Sequence, residues 1–137
     1  MEKTVPIDGN YDPFTPDAVT RVETLEGSKA GEGGFMLETE GEVSLVFNDT
    51  LFNVPHIRGP KGWLVRLVGS TGGPRVTRLA QWALVDEKNK LANHLWRLIQ
   101  LPGLKRLIPG HGDIIETDAA DTLARVAHRL GNIRPMS

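Results

Sequence analysis

Hydrophobic and polar positions change period three times along this chain. From Arg21 to Leu25 they alternate, as in a half-exposed strand. Phe35–Thr39 and Val43–Phe47, joined by a Glu40-Gly41 turn, then predict a β-hairpin. The second of these strands is apolar almost throughout, which predicts burial on both faces. After Asp49 the period lengthens. Gly62–Val68 predicts a helical turn or two, and Val76–Val85 a short helix. A longer helix is predicted from about Glu87 to Gln100, capped by Asp86, with Leu91, His94, Leu95 and Leu98 forming one stripe. Leu104–Ile108 predicts another strand, stopped by Pro109. A last helix starts at Thr117 or Asp118, buries Leu123, Val126, Ala127 and Leu130, and closes at Gly131. Strands, then helices, then a strand and a helix predict an α/β layered fold with one mixed sheet covered by helices.

The stretches between these elements are rich in turn residues. Residues 1–20 hold Asp8-Gly9-Asn10, Asp12-Pro13 and Thr15-Pro16-Asp17 and predict an arm; 132–137 is left as a tail, and 21–131 as the folded unit. Two glycine-rich segments stand out, 27–34 and 69–74. The first reads as a strand connector or, in a small independent α/β domain, as an anion cradle, although it lacks phosphate-loop spacing. The second reads as a linker or as a loop over a site. Trp82 and Trp96 read as core anchors. Of the histidines, His94 is expected to pack on the apolar stripe, His128 to be solvated, and His56 to be a surface or packing residue.

Composition narrows the function classes. With 137 residues, 39% of them hydrophobic, the chain suffices for one domain with a modest core. Its 16 Lys plus Arg against 17 Asp plus Glu form no basic stripe, so no nucleic-acid partner is expected. The absence of cysteine removes disulfides and thiolate metal sites. No apolar run approaches the roughly 20 residues of a membrane span, and no apolar leader opens the sequence. No membrane partner and a cytoplasmic location are therefore expected.

Two strand ends carry the candidate chemistry. Leu107-Ile108-Pro109-Gly110-His111-Gly112-Asp113 sets one imidazole between two glycines, beyond an apolar strand. Leu45-Val46-Phe47-Asn48-Asp49-Thr50-Leu51-Phe52 ends another apolar strand in a carboxylate. Histidine nitrogen and carboxylate oxygen are the donors of catalytic zinc or iron sites, and strand ends hold such donors rigidly. Asp49 and His111 are 62 positions apart, enough for helices to intervene and bring the two strands side by side.

These segments resemble the metallo-β-lactamase superfamily. Val43–Phe52 is similar to its strand-Gly-Asp segment, and Leu107–Gly112 to its late Pro-Gly-His-Gly segment. Val22–Leu37, with Gly27-Ser28-Lys29-Ala30-Gly31-Glu32, resembles the strand-loop-strand around its middle histidine. The resemblance covers about residues 20 to 131 and implies the C-terminal half of a four-layer αββα sandwich. It implies Asp49 and His111 as metal ligands, zinc as the metal with iron or manganese as alternatives, and hydrolysis of a small-molecule ester, thioester, amide or phosphoester. Three departures qualify it. His-x-His-x-Asp-His occurs nowhere in the chain, Ser28 or Lys29 stands where the middle histidine belongs, and Asn48 replaces the glycine before the aspartate. Two ligands do not make a catalytic site. The expectation is therefore a half-domain completed by a separate N-terminal half, or a catalytically silent interaction module. Either way one sheet face lacks its partner, which predicts a homo-oligomer or a complex of two halves.

Overall fold

The computed structural model describes residues 17–29, 32–56, 58–60, 62–63 and 71–131. Among them the chain runs β1 (Thr20–Thr24), β2 (Gly33–Thr39), β3 (Glu42–Phe47), β4 (Phe52–Asn53), α1 (Arg78–Leu84), α2 (Lys88–Ile99), β5 (Leu104–Ile108), β6 (His111–Gly112) and α3 (Ala119–Leu130). This is a mixed α/β fold. Most of the expected arm (1–16), the tail (132–137) and most of the expected helical turn at 62–68 lie outside the described residues.

β2 and β3 form the hairpin, turned at Glu40 (φ 54°) and Gly41 (φ 78°). Positive φ at both central residues matches the right-handed twist of the flanking strands. β1 pairs with β2 antiparallel, and β5 with β3 in parallel, giving the sheet order β1-β2-β3-β5. A parallel pair needs a crossover, and α1 and α2 lie on it. A second, two-stranded parallel ladder, β4–β6, continues beyond the ends of β3 and β5. Two-residue strands have no period to read, so the hydrophobic pattern gives no sign of this ladder.

β3 is the most buried strand, with Val43, Ser44, Leu45 and Phe47 buried and Val46 half-buried. Val43, Leu45 and Phe47 of β3 and Leu107 of β5 join Leu91, Leu95 and Leu98 of α2 and Leu123, Val126 and Ala127 of α3 in one core. The α2 stripe is buried as its spacing predicts, His94 included, and His128 is exposed. Trp82 departs from expectation: it is 80% exposed and lies outside the core cluster of the described residues. α1 has seven residues and buries only Ala80. Trp82, two positions on, lies roughly 200° round the helix from that contact. Trp96 does pack against the core.

The helix starts also differ from the capping pattern. Thr77 caps α1 through its hydroxyl, which accepts from Ala80 N–H at 3.0 Å. The N-cap of α2 is Glu87 rather than Asp86, and its side chain makes no capping bond. The amides of Asp86 and Glu87 both donate to Gly27 O at 2.9 Å, so this turn is held by the 27–29 loop instead. Asp118 is the N-cap of α3, in the left-handed region and with no side-chain bond.

Candidate functional site

The chemistry-bearing residues gather where parallel β3 and β5 end, the edge at which α/β sheets present groups to ligands. After Phe47 the chain bends through Asn48, Asp49 and Thr50; after Ile108 it turns through Pro109 and Gly110 to His111. These turns touch. A Cβ on Gly110 would stand 2.0 Å from Asn48 O, and one on Gly112, at φ +97°, 2.0 Å from Asn53 O. Both glycines are thus demanded by backbone approach, and that approach carries His111 to Asp49.

His111 Nε2 lies 3.1 Å from Asp49 Oδ1. The carboxylate can only accept, so Nε2 donates. The imidazole also stacks on Phe52, with ring centroids 4.8 Å apart and planes 17° from parallel. Phe52 is the parallel partner of His111, and Asn53 Nδ2 donates to Asp113 O at 2.7 Å across the same ladder. The ring is therefore held on one edge and one face. Both side chains remain open to solvent, His111 at 56% and Asp49 at 54%.

The sequence-derived pair is thus brought together from residues far apart in the chain. Zinc–nitrogen and zinc–oxygen bonds at tetrahedral angles set neighbouring donors roughly 3.3–3.5 Å apart. The Asp49–His111 separation fits two positions of such a site after a slight opening. It does not fit a complete one: among the described residues no group of three or more His, Cys, Asp or Glu is placed to hold a metal.

One residue at this edge escapes the sequence pattern. Glu32 is 9% exposed and accepts from Thr50 Oγ1 at 3.0 Å, on the residue that follows Asp49. A glutamate in a glycine-rich segment reads as solvated; its position directly before the strand Gly33–Thr39 is the signal that it sits at the same sheet edge.

The described part of the 27–34 loop behaves as a connector. The amides of Ser28, Lys29 and Glu32 donate to Leu25 O, Leu84 O and Lys29 O, which leaves none of these three for an anion. Gly27 adopts φ +80°, and a Cβ there would meet Glu87 O at 2.4 Å.

Away from this edge, His94 ties α2 to β1. Arg97 donates to His94 Nδ1 at 2.8 Å, which assigns the proton to Nε2. Glu23 Oε1 lies 2.8 Å from Nε2 but off the N–H axis, so this is a close polar contact rather than an aligned hydrogen bond. Arg97 also pairs with Glu26 at 2.5 Å; that hydrogen bond, with the charge of Arg97, holds the Glu26 carboxyl below the usual range. Buried at 4% exposure and bonded through Nδ1, His94 is the packed histidine its place on the stripe predicts.

Compared with models of protein families the chain matches none, and compared with curated proteins it matches none. No helix among the described residues is long and apolar enough to cross a membrane.

Proposed function

We propose that this chain is a component of a metallo-β-lactamase-like hydrolase, the C-terminal half of the αββα sandwich, with Asp49 and His111 as two of its metal donors. One observation carries the reading. A carboxylate and an imidazole, 62 positions apart, converge to 3.1 Å at the ends of two parallel strands. The strand-then-turn order at each end supports it too.

A metal bound there would supply a Lewis acid and an activated water for attack on an ester, thioester, amide or phosphoester of a small molecule. The chain's own residues provide two donors, one of them oriented by Phe52 stacking. The remaining donors belong to a separate N-terminal half or a second copy. Zinc is the metal this nitrogen–oxygen set favours, with iron or manganese as alternatives.

Calorimetric titration with zinc tests the reading. The protein takes up zinc, and Asp49→Ala and His111→Ala each abolish uptake while the fold persists. Substoichiometric zinc, iron and manganese after careful loading, or equal uptake by all three proteins, would sink it.

A catalytically silent interaction module is the second reading, favoured by the want of a third donor among the described residues. It predicts a metal-free assembly whose size on gel filtration is unchanged by Asp49→Ala.

A further inference from the structure

Asp49 lies on an exposed bend, with no sheet hydrogen bond of its own to set its direction. Something must hold the bend, because Asp49 and His111 meet through a single contact between half-exposed side chains. Thr50 is the anchor next to it. It is 1% exposed, and Leu51 beyond it belongs to the core. The Thr50 hydroxyl donates to Glu32 Oε2, the only hydrogen bond to that carboxylate among the described residues.

The hairpin register explains why Glu32 stands there. Gly34 pairs with Phe47 at the last rung of the β2–β3 ladder. Two further rungs would set Glu32 opposite Asp49. The chain instead bends at 48–50, and Glu32 meets the side chain of Thr50. The Glu32 backbone is fixed independently, its amide donating to Lys29 O at 3.1 Å within a loop that is itself bonded to Leu84 O and to the amides of Asp86 and Glu87. A buried carboxylate is costly to leave without a donor, so the Thr50 hydroxyl is held as firmly as Glu32 itself.

We propose that Glu32 is the positioning residue of the candidate site: through Thr50 Oγ1 it fixes the bend that turns the Asp49 carboxylate onto His111. The proposal rests on reading the Asp49–His111 pair as the functional site, but it concerns how the pair is assembled and does not require metal. It assigns Glu32 no contact with a substrate.

The test is the imidazole spectrum of the metal-free full chain in chelator, with His111 signals assigned by their loss in His111→Gln. Asp49→Ala supplies the reference displacement for a broken pair. Glu32→Ala and Thr50→Val move the His111 signals toward that reference. Glu32→Gln, whose amide oxygen still accepts, and Thr50→Ser, which keeps the hydroxyl, leave them at the wild-type position. Melting temperatures are measured in parallel. A Glu32→Ala protein that melts lower while its His111 signals stay at wild type has lost only packing, and the proposal falls. If Glu32→Ala fails to fold, the comparison of Thr50→Val with Thr50→Ser decides alone, and equal spectra overturn the proposal. Failure of the metal reading is separate: it appears as absent zinc uptake by the wild type, whatever the imidazole signals do.

Discussion

Gly110 has no room for a side chain. The Asn48 carbonyl occupies the space where its Cβ would go, and the turn that bears Asp49 cannot retreat without dragging the ends of β3 and β4 with it. Gly41 has positive φ but nothing within 4 Å of its missing Cβ. Gly41→Ala therefore suffers the left-handed backbone alone, about 1 kcal/mol, whereas Gly110→Ala, with no left-handed backbone to strain, must displace packed backbone and costs roughly 2–4 kcal/mol. Urea unfolding of the two variants checks the order, and equal losses would mean that the two turns are not in close contact. The dyad obeys the opposite logic. Asp49 and His111 are each more than half exposed, so their pairing contributes no more than about 1 kcal/mol. Asp49→Ala should then leave the urea midpoint nearly unchanged while removing zinc uptake. A large destabilisation would recast the pair as structural.

At the scale of elements, helix spacing gives α2 and α3 correctly because each buries a full stripe on one core. It misreads Trp82 because α1 meets the core only through Ala80 and the half-buried Leu84, and seven residues hold too little period to tell an inner face from an outer one. The two helices accordingly respond differently to truncation. Leu95→Ala, at a site 1% exposed, removes about 2–5 kcal/mol, while Trp82→Ala stays within roughly 0.5 kcal/mol of wild type. Chemical denaturation of both variants measures this, and a costly Trp82→Ala would show that α1 packs against something beyond the described residues. The attachment of α2 to the loop after β1 has its own pH signature. Glu26 is held below its ordinary value first by the Arg97 hydrogen bond. A lowered folded-state value means that this contribution is complete above the ordinary glutamate range and fades as pH falls through the lowered value. The side chain is more than half exposed, so the expected readout is its own titration rather than global stability. In carboxyl-resolved nuclear magnetic resonance, Glu26 titrates low, and Arg97→Ala raises its midpoint toward the ordinary value. An unmoved midpoint would refute the pairing.

Over the whole molecule, the mixed sheet and its helical cover are legible in the sequence, because alternation over five or more residues survives translation into strands. The convergence of Asp49 and His111 is legible for a related reason: each closes an apolar strand, and parallel neighbours align their ends. Glu32 and the β4–β6 ladder are not, since both arise from where the strand ends bring the chain rather than from any local period. The same register raises the question of association. Val22, Phe35, Val46 and Ile108 are successive partners across β1, β2, β3 and β5, and they fall on the face opposite Leu45, Leu107 and the helices. Each is only half-buried, so the row gains further burial if a second layer closes over it. A half-sandwich whose missing sheet comes from another chain would use this row, and Val46, at its centre in the sheet, is the position to charge. Sedimentation velocity of the wild type should reveal an assembly larger than one chain, and Val46→Lys should convert it to monomer with its circular dichroism retained, because a lysine ammonium in an apolar interface leaves an unpaired charge. A wild type that sediments as a monomer at every concentration would remove the half-sandwich assembly. An assembly indifferent to Val46→Lys would move the interface to another surface, with the exposed Trp82 and Leu79 of α1 as the next residues to charge.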